Sequence, residues 1–207
     1  MSTRSRRVPD GITDENGVHN IQSSSQTSKY TVDDRGRCTI AEGIKIISSN
    51  VFFGNTDIKY ITFPTSLEYI GQSAFYHTSV EKIKFQNPII LAPSAFSNCD
   101  KLVSVEFFEG SAAVSASVNA RRYHNTILQK GAFSRCTSLK SVTLPPDYQM
   151  DEPSVFSNCT SLENITLPVQ MDALLSNTFT SCRQLKHVDF PDMLTCLLYT
   201  SPSPRDA

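Results

Sequence analysis

The chain has 207 residues, of which 39% are hydrophobic, and this is enough for one ordinary domain with a buried core. Its 19 basic and 20 acidic residues nearly cancel, so the formal net charge of -1 creates no general field that would attract nucleic acid or an anionic membrane. No segment reaches the roughly 18 consecutive apolar residues that a membrane-spanning helix needs. We therefore expect neither nucleic-acid binding nor a membrane span.

The first 28 residues form a polar segment that we expect to be a disordered arm. Its run QSSSQTS cannot bury enough apolar surface to fold alone. The start, MSTRSRRVPDGITDENG, contains a basic cluster that fits a solvated tail better than a targeting element. It has no apolar core of a secretory signal, and on that ground alone we expect the chain in the cytoplasm.

From residue 29 to residue 191 the sequence repeats itself. A phenylalanine recurs with spacings of 23, 21, 37, 23 and 23 residues, and the 37-residue spacing exceeds the period by a 14-residue insertion. The units share the pattern small-Phe-x-x-Cys/Asn/Thr-x-x-Leu-x-x-Ile-x-Leu/Phe-Pro, as in AFSRCTSLKSVTLP (132–145) and VFSNCTSLENITLP (155–168). The six phenylalanines are Phe52, Phe75, Phe96, Phe133, Phe156 and Phe179. Self-similarity at this period is typical of a repeat solenoid.

The second half of each unit alternates apolar and polar residues and is rich in β-branched side chains, which predicts a short strand. Two positions in each unit are expected to point inward. The first is Ile61, Ile83, Val105, Val142, Ile165 and Val188, and the second is Phe63, Phe85, Phe107, Leu144, Leu167 and Phe190. Because one unit cannot bury such a face by itself, about six units are expected to stack in parallel around one continuous core.

The first half of each unit is expected to form the opposite wall from turns or short helical segments. In LEYIGQSAF (67–75), Ile70 and Phe75 are predicted to fill the interior, and Gly71 is predicted to permit a tight turn. Burying each repeat phenylalanine should stabilise the fold by roughly 1.5–3 kcal/mol.

A cysteine follows the repeat phenylalanine by three residues in four units, and a metal site, disulfides and simple packing are the three interpretations. These cysteines are Cys99, Cys136, Cys159 and Cys182. Zinc is disfavoured because no pair has C-x-x-C spacing and the histidines share no register with the cysteines. Disulfides are disfavoured because residues in one column point the same way. Asn55 and Thr78 occupy the equivalent place in the first two units, which favours packing; no metal or cofactor is expected.

Two segments depart from the repeat. The insertion 111–127 contains Arg121, Arg122 and Tyr123 in succession. Loops on rigid scaffolds often bind partners, so these residues are candidates for contact, with a functionally indifferent loop as the alternative. The last 12 residues, CLLYTSPSPRDA (196–207), resemble a translated sequencing adapter. Residues 192–207 are therefore interpreted as a truncated end followed by a non-native tail.

The units resemble the BspA-like leucine-rich repeat family, whose repeat has the form x-x-Ile-Gly-x-x-Ala-Phe-x-x-Cys-x-x-Leu-x-x-Ile-x-Leu-Pro. The segments YIGQSAF and AFSRCTSLKSVTLP match it closely, and the resemblance covers residues 30–191. It implies a curved, right-handed leucine-rich repeat solenoid with short parallel strands on its concave side, used to bind proteins or cell-surface ligands. Many members are surface or secreted adhesion proteins of bacteria and protists, so the resemblance implies a surface or secreted location.

On this interpretation, the strand positions that flank the inward residue face the concave surface. Their chemistry varies while the buried columns hardly vary, as expected of a surface that is free to bind. Ordinary solvated strand faces explain the pattern equally well. Our candidates for partner contact are Tyr60, Lys82, Lys84, Glu106, His187 and Asp189.

The sequence favours a non-catalytic protein-interaction or adhesion module whose protein ligand it does not identify. An enzyme would need a nucleophile, a base and an orienting group in one pocket, and the nearest pair, His187 and Asp189, has no identifiable nucleophile. A purely architectural repeat segment or a gene fragment is the remaining alternative.

Overall fold

The computed structural model describes residues 20–107, 126–145, 148, 152–167, 173–174, 177–189 and 196–197, and in them the chain forms short β-strands joined by turns. Successive strands of each sheet come from successive repeats, so the chain winds as a solenoid, which confirms the predicted fold. No helix occurs in the described part of the chain. The short helical segments expected on the second wall are therefore replaced by strands and turns.

The larger sheet has eight strands and contains all six predicted repeat strands. The eight strands are β2 (Tyr30–Val32), β3 (Arg37–Ile40), β5 (Tyr60–Thr62), β7 (Lys82–Lys84), β9 (Ser104–Glu106), β11 (Ser141–Thr143), β12 (Asn164–Thr166) and β14 (His187–Asp189). The six repeat strands are those from β5 to β14. From β3 to β14 all neighbours pair in parallel. Equivalent positions of the repeat face each other across the ladder, as in Val142 opposite Val105 on one side and Ile165 on the other.

The predicted inward positions of these strands lie in the core. Ile83, Val105, Val142 and Ile165 are buried, whereas Ile61 and Val188 are half-buried. The second inward column is buried at Phe63, Phe85, Phe107, Leu144 and Leu167. Phe190 lies outside the described residues. The period-2 alternation therefore predicted the buried face correctly.

The second wall is a five-stranded sheet built from strands of only two residues. They are β1 (Asn20–Ile21), β4 (Ile46–Ile47), β6 (Tyr69–Ile70), β8 (Ile90–Leu91) and β10 (Ile127–Leu128). Ile70 is fully buried, as predicted. Glycine is needed at position 71 because two coils approach each other closely there, and not because of the predicted tight turn. A Cβ at this position would lie 2.4 Å from the backbone nitrogen of Ser49.

The six repeat phenylalanines form one stacked column between the two walls. Adjacent ring centroids are 4.9 Å apart from Phe52 to Phe75 and from Phe75 to Phe96, and the separation rises to 6.1 Å at Phe156 and Phe179. Phe96 and Phe133 are completely buried. Offset stacking of this kind adds about 0.5–1.5 kcal/mol per pair to the hydrophobic contribution.

Each phenylalanine is flanked by two residues in the left-handed backbone region, two positions before it and two positions after it. The first column is Asn50, Ser73, Ser94, Gly131, Ser154 and Asn177, and the second is Gly54, His77, Asn98, Arg135, Asn158 and Ser181. Their φ values lie between 53° and 69°. Glycine and asparagine adopt this region at low cost. Asparagine or glycine accordingly occupies six of these twelve positions, and serine, histidine and arginine occupy the rest.

The N-terminal edge of the larger sheet is covered by a hairpin. β2 pairs with β3 in the antiparallel sense, and the turn between them is held by Asp33 Oδ1, which accepts hydrogen bonds of 2.9 Å from the backbone N–H groups of Arg35 and Arg37. Tyr30 then packs edge-on against Phe52, with ring centroids 4.9 Å apart. The hairpin thus covers the first ring of the column and one open sheet edge.

The structure differs from the sequence expectation at residues 20–28, which we had assigned to the polar arm. β1 pairs in parallel with β4, and Ile21 is fully buried in the main core. Ser48 Oγ lies 3.0 Å from Asn20 Oδ1. Burial of Ile21 is enough to join this segment to the second wall. The average composition of residues 1–28 is polar and does not reveal a single buried residue. Residues 1–19 lie outside the described part.

The insertion and the end of the chain are described only in short pieces. Thr126 is buried, and Ile127 begins β10, so the last two residues of the predicted insertion belong to the second wall. β13 (Ala173–Leu174) and β15 (Cys196–Leu197) pair in parallel, and β15 lies in the segment that we interpreted as a non-native tail. Arg121, Arg122 and Tyr123 lie outside the described residues.

Candidate binding surface

The outward positions of the eight-stranded sheet form two parallel columns, which we call the strand face. The first column runs through Arg37, Tyr60, Lys82, Ser104, Ser141, Asn164 and His187. The second runs through Thr39, Thr62, Lys84, Glu106, Thr143, Thr166 and Asp189. The two columns flank the inward residue of each strand because side chains alternate across a strand.

The two halves of the strand face differ in chemistry. Strands β3, β5, β7 and β9, which we call the β3–β9 half, present long charged and aromatic side chains. Strands β11 and β12 present only Ser141, Thr143, Asn164 and Thr166, which are small and uncharged. All four of these are exposed. Aromatic and arginine side chains, the residue types that typically anchor interfaces, lie in the β3–β9 half of the strand face.

The structure brings four of the six candidate residues together at this half. Tyr60 and Lys82 are directly opposite each other on neighbouring strands, and Lys84 is opposite Glu106. The Lys84 ammonium lies 3.5 Å from Glu106 Oε2, and both side chains are mostly exposed. An exposed pair of this kind contributes about 0–1 kcal/mol to folding, so its charges remain available to a partner.

Tyr60 is the exposed aromatic side chain of this surface, with 41% of its area accessible. Its hydroxyl donates a hydrogen bond of 3.0 Å to Glu81 Oε2, and this bond to a neighbouring carboxylate raises the pKa of Tyr60. This hydrogen bond restrains the exposed ring of Tyr60 on the strand face.

The other two candidates, His187 and Asp189, lie at the opposite end of the sheet. β14 places them in register with Asn164 and Thr166, with β9, β11 and β12 between β7 and β14. The six residues therefore do not form one contiguous site. The enzymatic alternative would need further groups beside His187 and Asp189. The residues in register with this pair are Asn164 and Thr166, which contribute an amide and a hydroxyl group.

Sequence reasoning missed two residues of the strand face, Arg37 and Thr39. Together with Tyr60 and Thr62 they line a shallow depression of about 310 Å³. The signal was present in the segment RCTI (37–40), where buried Cys38 and Ile40 alternate with the two exposed residues. The segment was overlooked because its unit has no repeat phenylalanine before the strand.

The cysteine column is a row of hydrogen-bond donors inside the turns. Each thiol donates to the carbonyl oxygen of the phenylalanine in the preceding coil, at 3.1 Å for Cys99 and 3.2 Å for Cys136, Cys159 and Cys182. In the second unit Thr78 Oγ1 donates to the carbonyl of Phe75 instead, at 3.1 Å. Thr78 therefore bonds within its own coil, and in the first unit Asn55 Oδ1 accepts from the backbone N–H groups of Asp57 and Ile58, so the position holds a small polar side chain or thiol whose hydrogen-bond role varies.

Burial keeps these thiols protonated. It raises the pKa of Cys99 and of Cys182 to about 11, and it raises the pKa of Cys136 and Cys159 as well. Cys38 and the four column cysteines are all unpaired thiols. In the described ranges no group of three histidine, cysteine or acidic side chains is arranged to hold a metal ion. The burial of Cys99, Cys136 and Cys159 and their hydrogen bonds agree with the packing interpretation.

The sequence and the fold both match a known repeat family. The sequence model of the BspA type leucine rich repeat region matches six copies, over residues 35–120 and 117–200. The chain belongs to the BspA-type leucine-rich repeat family. This family and its fold are typically non-enzymatic and are generally protein-interaction or surface-adhesion modules. No curated protein sequence matches the chain.

Three solved structures of leucine-rich repeat proteins share the fold. A leucine-rich repeat protein from Eubacterium ventriosum superposes with a TM-score of 0.61 at 18% identity, over 87% of this chain and 53% of that one. One from Bacteroides ovatus gives 0.55 at 24%, over 78% and 44%, and the T. pallidum leucine-rich repeat protein gives 0.56 at 20%, over 81% and 82%. This chain thus spans about half the length of the first two relatives.

None of the described residues forms a helix of the length and hydrophobicity that crossing a membrane requires.

Proposed function

We propose that this chain is a non-catalytic module that binds a protein ligand on the strand face, and that it acts in adhesion at the cell surface or after secretion. The single observation that carries the proposal is the contrast between the two faces of the same strands. The inward positions are occupied by similar apolar residues from coil to coil, while the outward positions change from arginine and tyrosine to lysine, glutamate and serine.

The β3–β9 half of the strand face supports this function best. Arg37, Tyr60 and Lys82 follow one another in one column, so a guanidinium, an aromatic ring and an ammonium lie on adjacent strands. Strands in a sheet are about 4.8 Å apart, so the three groups span a length that a single protein segment can contact at once. Tyrosine and arginine are the residues that most often dominate binding energy.

The charge of this half favours an acidic segment on the partner. Arg37, Lys82 and Lys84 are basic, and Glu106 partly offsets them. Charge complementarity mainly accelerates association and selects partners, and it weakens as salt increases. The affinity should therefore fall with ionic strength.

The experiment compares site-specific photo-crosslinking at two positions of the chain. A photoreactive phenylalanine analogue replaces Tyr60 in one sample and Lys130, an exposed residue of a turn outside the strand face, in the other. Both samples are incubated with purified extracellular-matrix and cell-surface proteins that bind the unmodified chain in surface plasmon resonance. We expect crosslinks from position 60 and none from position 130.

Substitutions then measure the contribution of the surface. The double variant Tyr60→Ala/Lys82→Glu should weaken binding about 30-fold or more, because a hot-spot residue contributes about 2 kcal/mol or more and each 1.4 kcal/mol is a factor of ten. Lys130→Glu is the matched control and should leave affinity unchanged. Binding that the double variant retains in full would contradict the proposed surface.

A further inference from the structure

A second surface lies on the turns that carry the phenylalanines, away from the strand face. A groove of about 390 Å³ runs across four successive coils there, and we call it the turn groove. One side is lined by the left-handed residues His77, Asn98, Arg135 and Asn158. The other side is lined by Asp100, Thr137 and Thr160, each directly after the cysteine-column position.

The backbone of this groove is rigidly registered from coil to coil. The N–H of each left-handed residue donates to a carbonyl of the next coil: Asn98 to Ser134 at 2.9 Å, Arg135 to Ser157 at 2.8 Å and Asn158 to Thr180 at 2.7 Å. The buried phenylalanine of each coil lies only two residues away. The lining side chains therefore extend from a fixed frame, which is the condition for a preorganised binding site.

The lining offers hydrogen-bonding groups of every type with nearly balanced charge. Asn98 and Asn158 supply amides, Asp100 a carboxylate and Arg135 a guanidinium. Each of these planar groups can make two hydrogen bonds to two neighbouring hydroxyl groups of a ligand. A guanidinium donates both bonds, a carboxylate accepts both, and an amide donates one and accepts one. Asn98 Nδ2 donates to Ser97 Oγ at 3.0 Å, and Asp100 Oδ2 lies 3.8 Å from the Lys101 ammonium. The side chains of Arg135 and Asn158 make no hydrogen bond or ion pair with other residues of the described ranges, so their polar groups are open to a ligand.

A stacked pair of aromatic rings adjoins His77, the lining residue at the N-terminal end of the groove. Phe53 and Tyr76 stack in parallel with centroids 4.8 Å apart and an interplanar angle of 6°, and Tyr76 contacts the ring of His77, which lines the groove. Phe53 is 55% exposed although it is one of the largest apolar side chains. A flat, exposed aromatic surface beside in-plane amides and a carboxylate is the combination that binds a pyranose ring, which presents apolar C–H groups on its face and hydroxyls at its edge.

The spacing of the coils favours a saccharide chain over a peptide. Adjacent rings of the phenylalanine column are 4.9–6.1 Å apart, so equivalent lining residues recur at that interval. An extended peptide rises about 3.4 Å per residue, so its like-facing side chains recur every ~7 Å and lose register with the coils. One unit of an extended β1,4-linked pyranose chain is close to one coil in length, and because successive units are turned by about half a rotation, like-facing groups recur at every second coil and stay in register with the lining residues.

We propose that the turn groove binds an extended β1,4-linked saccharide chain, with about one sugar unit per coil and a terminal unit stacked on Phe53. This site and its ligand class are separate from the protein-binding strand face. A chain with both surfaces would attach to a polysaccharide along one side and to a protein along the other.

The test uses β1,4-linked hexasaccharides of glucose, mannose and N-acetylglucosamine, titrated into the full chain by calorimetry and followed by amide chemical shifts. We expect at least one of them to bind, with shift changes at the amides of Asn98, Arg135 and Asn158. The variants Arg135→Asn and Asn98→Gly place residues that accept the left-handed backbone at these positions, so both should fold. Each should weaken binding about tenfold, since each removes hydrogen bonds that an ionised or bidentate group makes to the ligand.

Phe53→Ala tests the stacking platform and should also weaken binding, whereas Tyr60→Ala on the strand face should leave it unchanged. Saccharide binding that is insensitive to all three groove variants overturns the proposal. So does the absence of binding by all three hexasaccharides at millimolar concentration. Either result would leave the protein-binding function of the strand face intact, because that function is measured with different ligands and different variants.

Discussion

Replacing Phe96 by alanine is expected to destabilise the fold by about 3–5 kcal/mol. The side chain is completely buried, and its ring contacts the neighbouring rings of the column, Phe75 at 4.9 Å and Phe133 at 5.5 Å. Loss of the hydrophobic transfer accounts for about 1.5–3 kcal/mol. The cavity left between the two neighbouring rings accounts for the remainder, because backbone hydrogen bonds between the coils keep the coils from collapsing into it. Single domains are typically stable by about 5–15 kcal/mol, so the variant should retain little reserve.

Urea unfolding followed by circular dichroism measures this loss, and two further variants test the reasoning. Phe96→Leu keeps most of the volume and should cost only about 1–2 kcal/mol. Phe53→Ala removes an exposed ring that stacks only on Tyr76 and should cost about 1 kcal/mol or less. A loss below about 1 kcal/mol for Phe96→Ala, or equal losses at Phe96 and Phe53, would refute the idea that the buried column holds the coils together.

Three other perturbations have outcomes that the structure predicts. The folded state raises the pKa of Cys99 and Cys182 from 9.0 to about 11, so the stability held by these protonated thiols is complete below about pH 9 and is lost as pH rises through 11; chemical unfolding at pH 8 and pH 10.5 measures the fall, and equal stability would contradict it. Arg135→Asn should stabilise the fold by about 0.5–1 kcal/mol because asparagine accepts the left-handed region better, and a lower unfolding midpoint would contradict this. Gly71→Ala should destabilise by about 1–3 kcal/mol, since its Cβ would lie 2.4 Å from the Ser49 nitrogen, and an unchanged midpoint would show that the coils can separate there.

The parts of the fold that follow from the sequence are those with several copies of one signal. The repeat phenylalanines, the strand alternation and the cysteine position each recur from coil to coil. A repeat unit that departs from the pattern can therefore be aligned with the help of the other units. The strand face could be read in the same way, because residues on either side of a buried position such as Ile83 must point outward.

Other features could not be predicted because their signal is short or occurs once. The two-residue strands of the second wall are too short to show a period, so the buried pair Ile46–Ile47 does not by itself reveal that it pairs in a second sheet. The hairpin of β2 and β3 and the pairing of β1 with β4 each occur once. Ile21 is the single buried residue that reveals β1.

The turn groove needed the structure for a different reason. Its lining residues lie on four coils, and Asn98 and Arg135 are separated by the insertion in sequence. Their common backbone conformation is suggested in sequence by Gly54, Asn98 and Asn158, two positions after three of the six phenylalanines, because glycine and asparagine favour the left-handed region. His77, Arg135 and Ser181 at the equivalent positions hide that pattern.

The column of stacked rings is tested most directly by nuclear Overhauser effects between phenylalanine rings, measured in deuterated protein with protonated phenylalanine and assigned by single Phe→Leu substitutions. The structure predicts contacts from the ring of Phe96 to those of Phe75 and Phe133, whose centroids are 4.9 and 5.5 Å away, and no contact between Phe75 and Phe133. Absence of the first two contacts, or a direct contact between the second pair, would contradict the stacked solenoid.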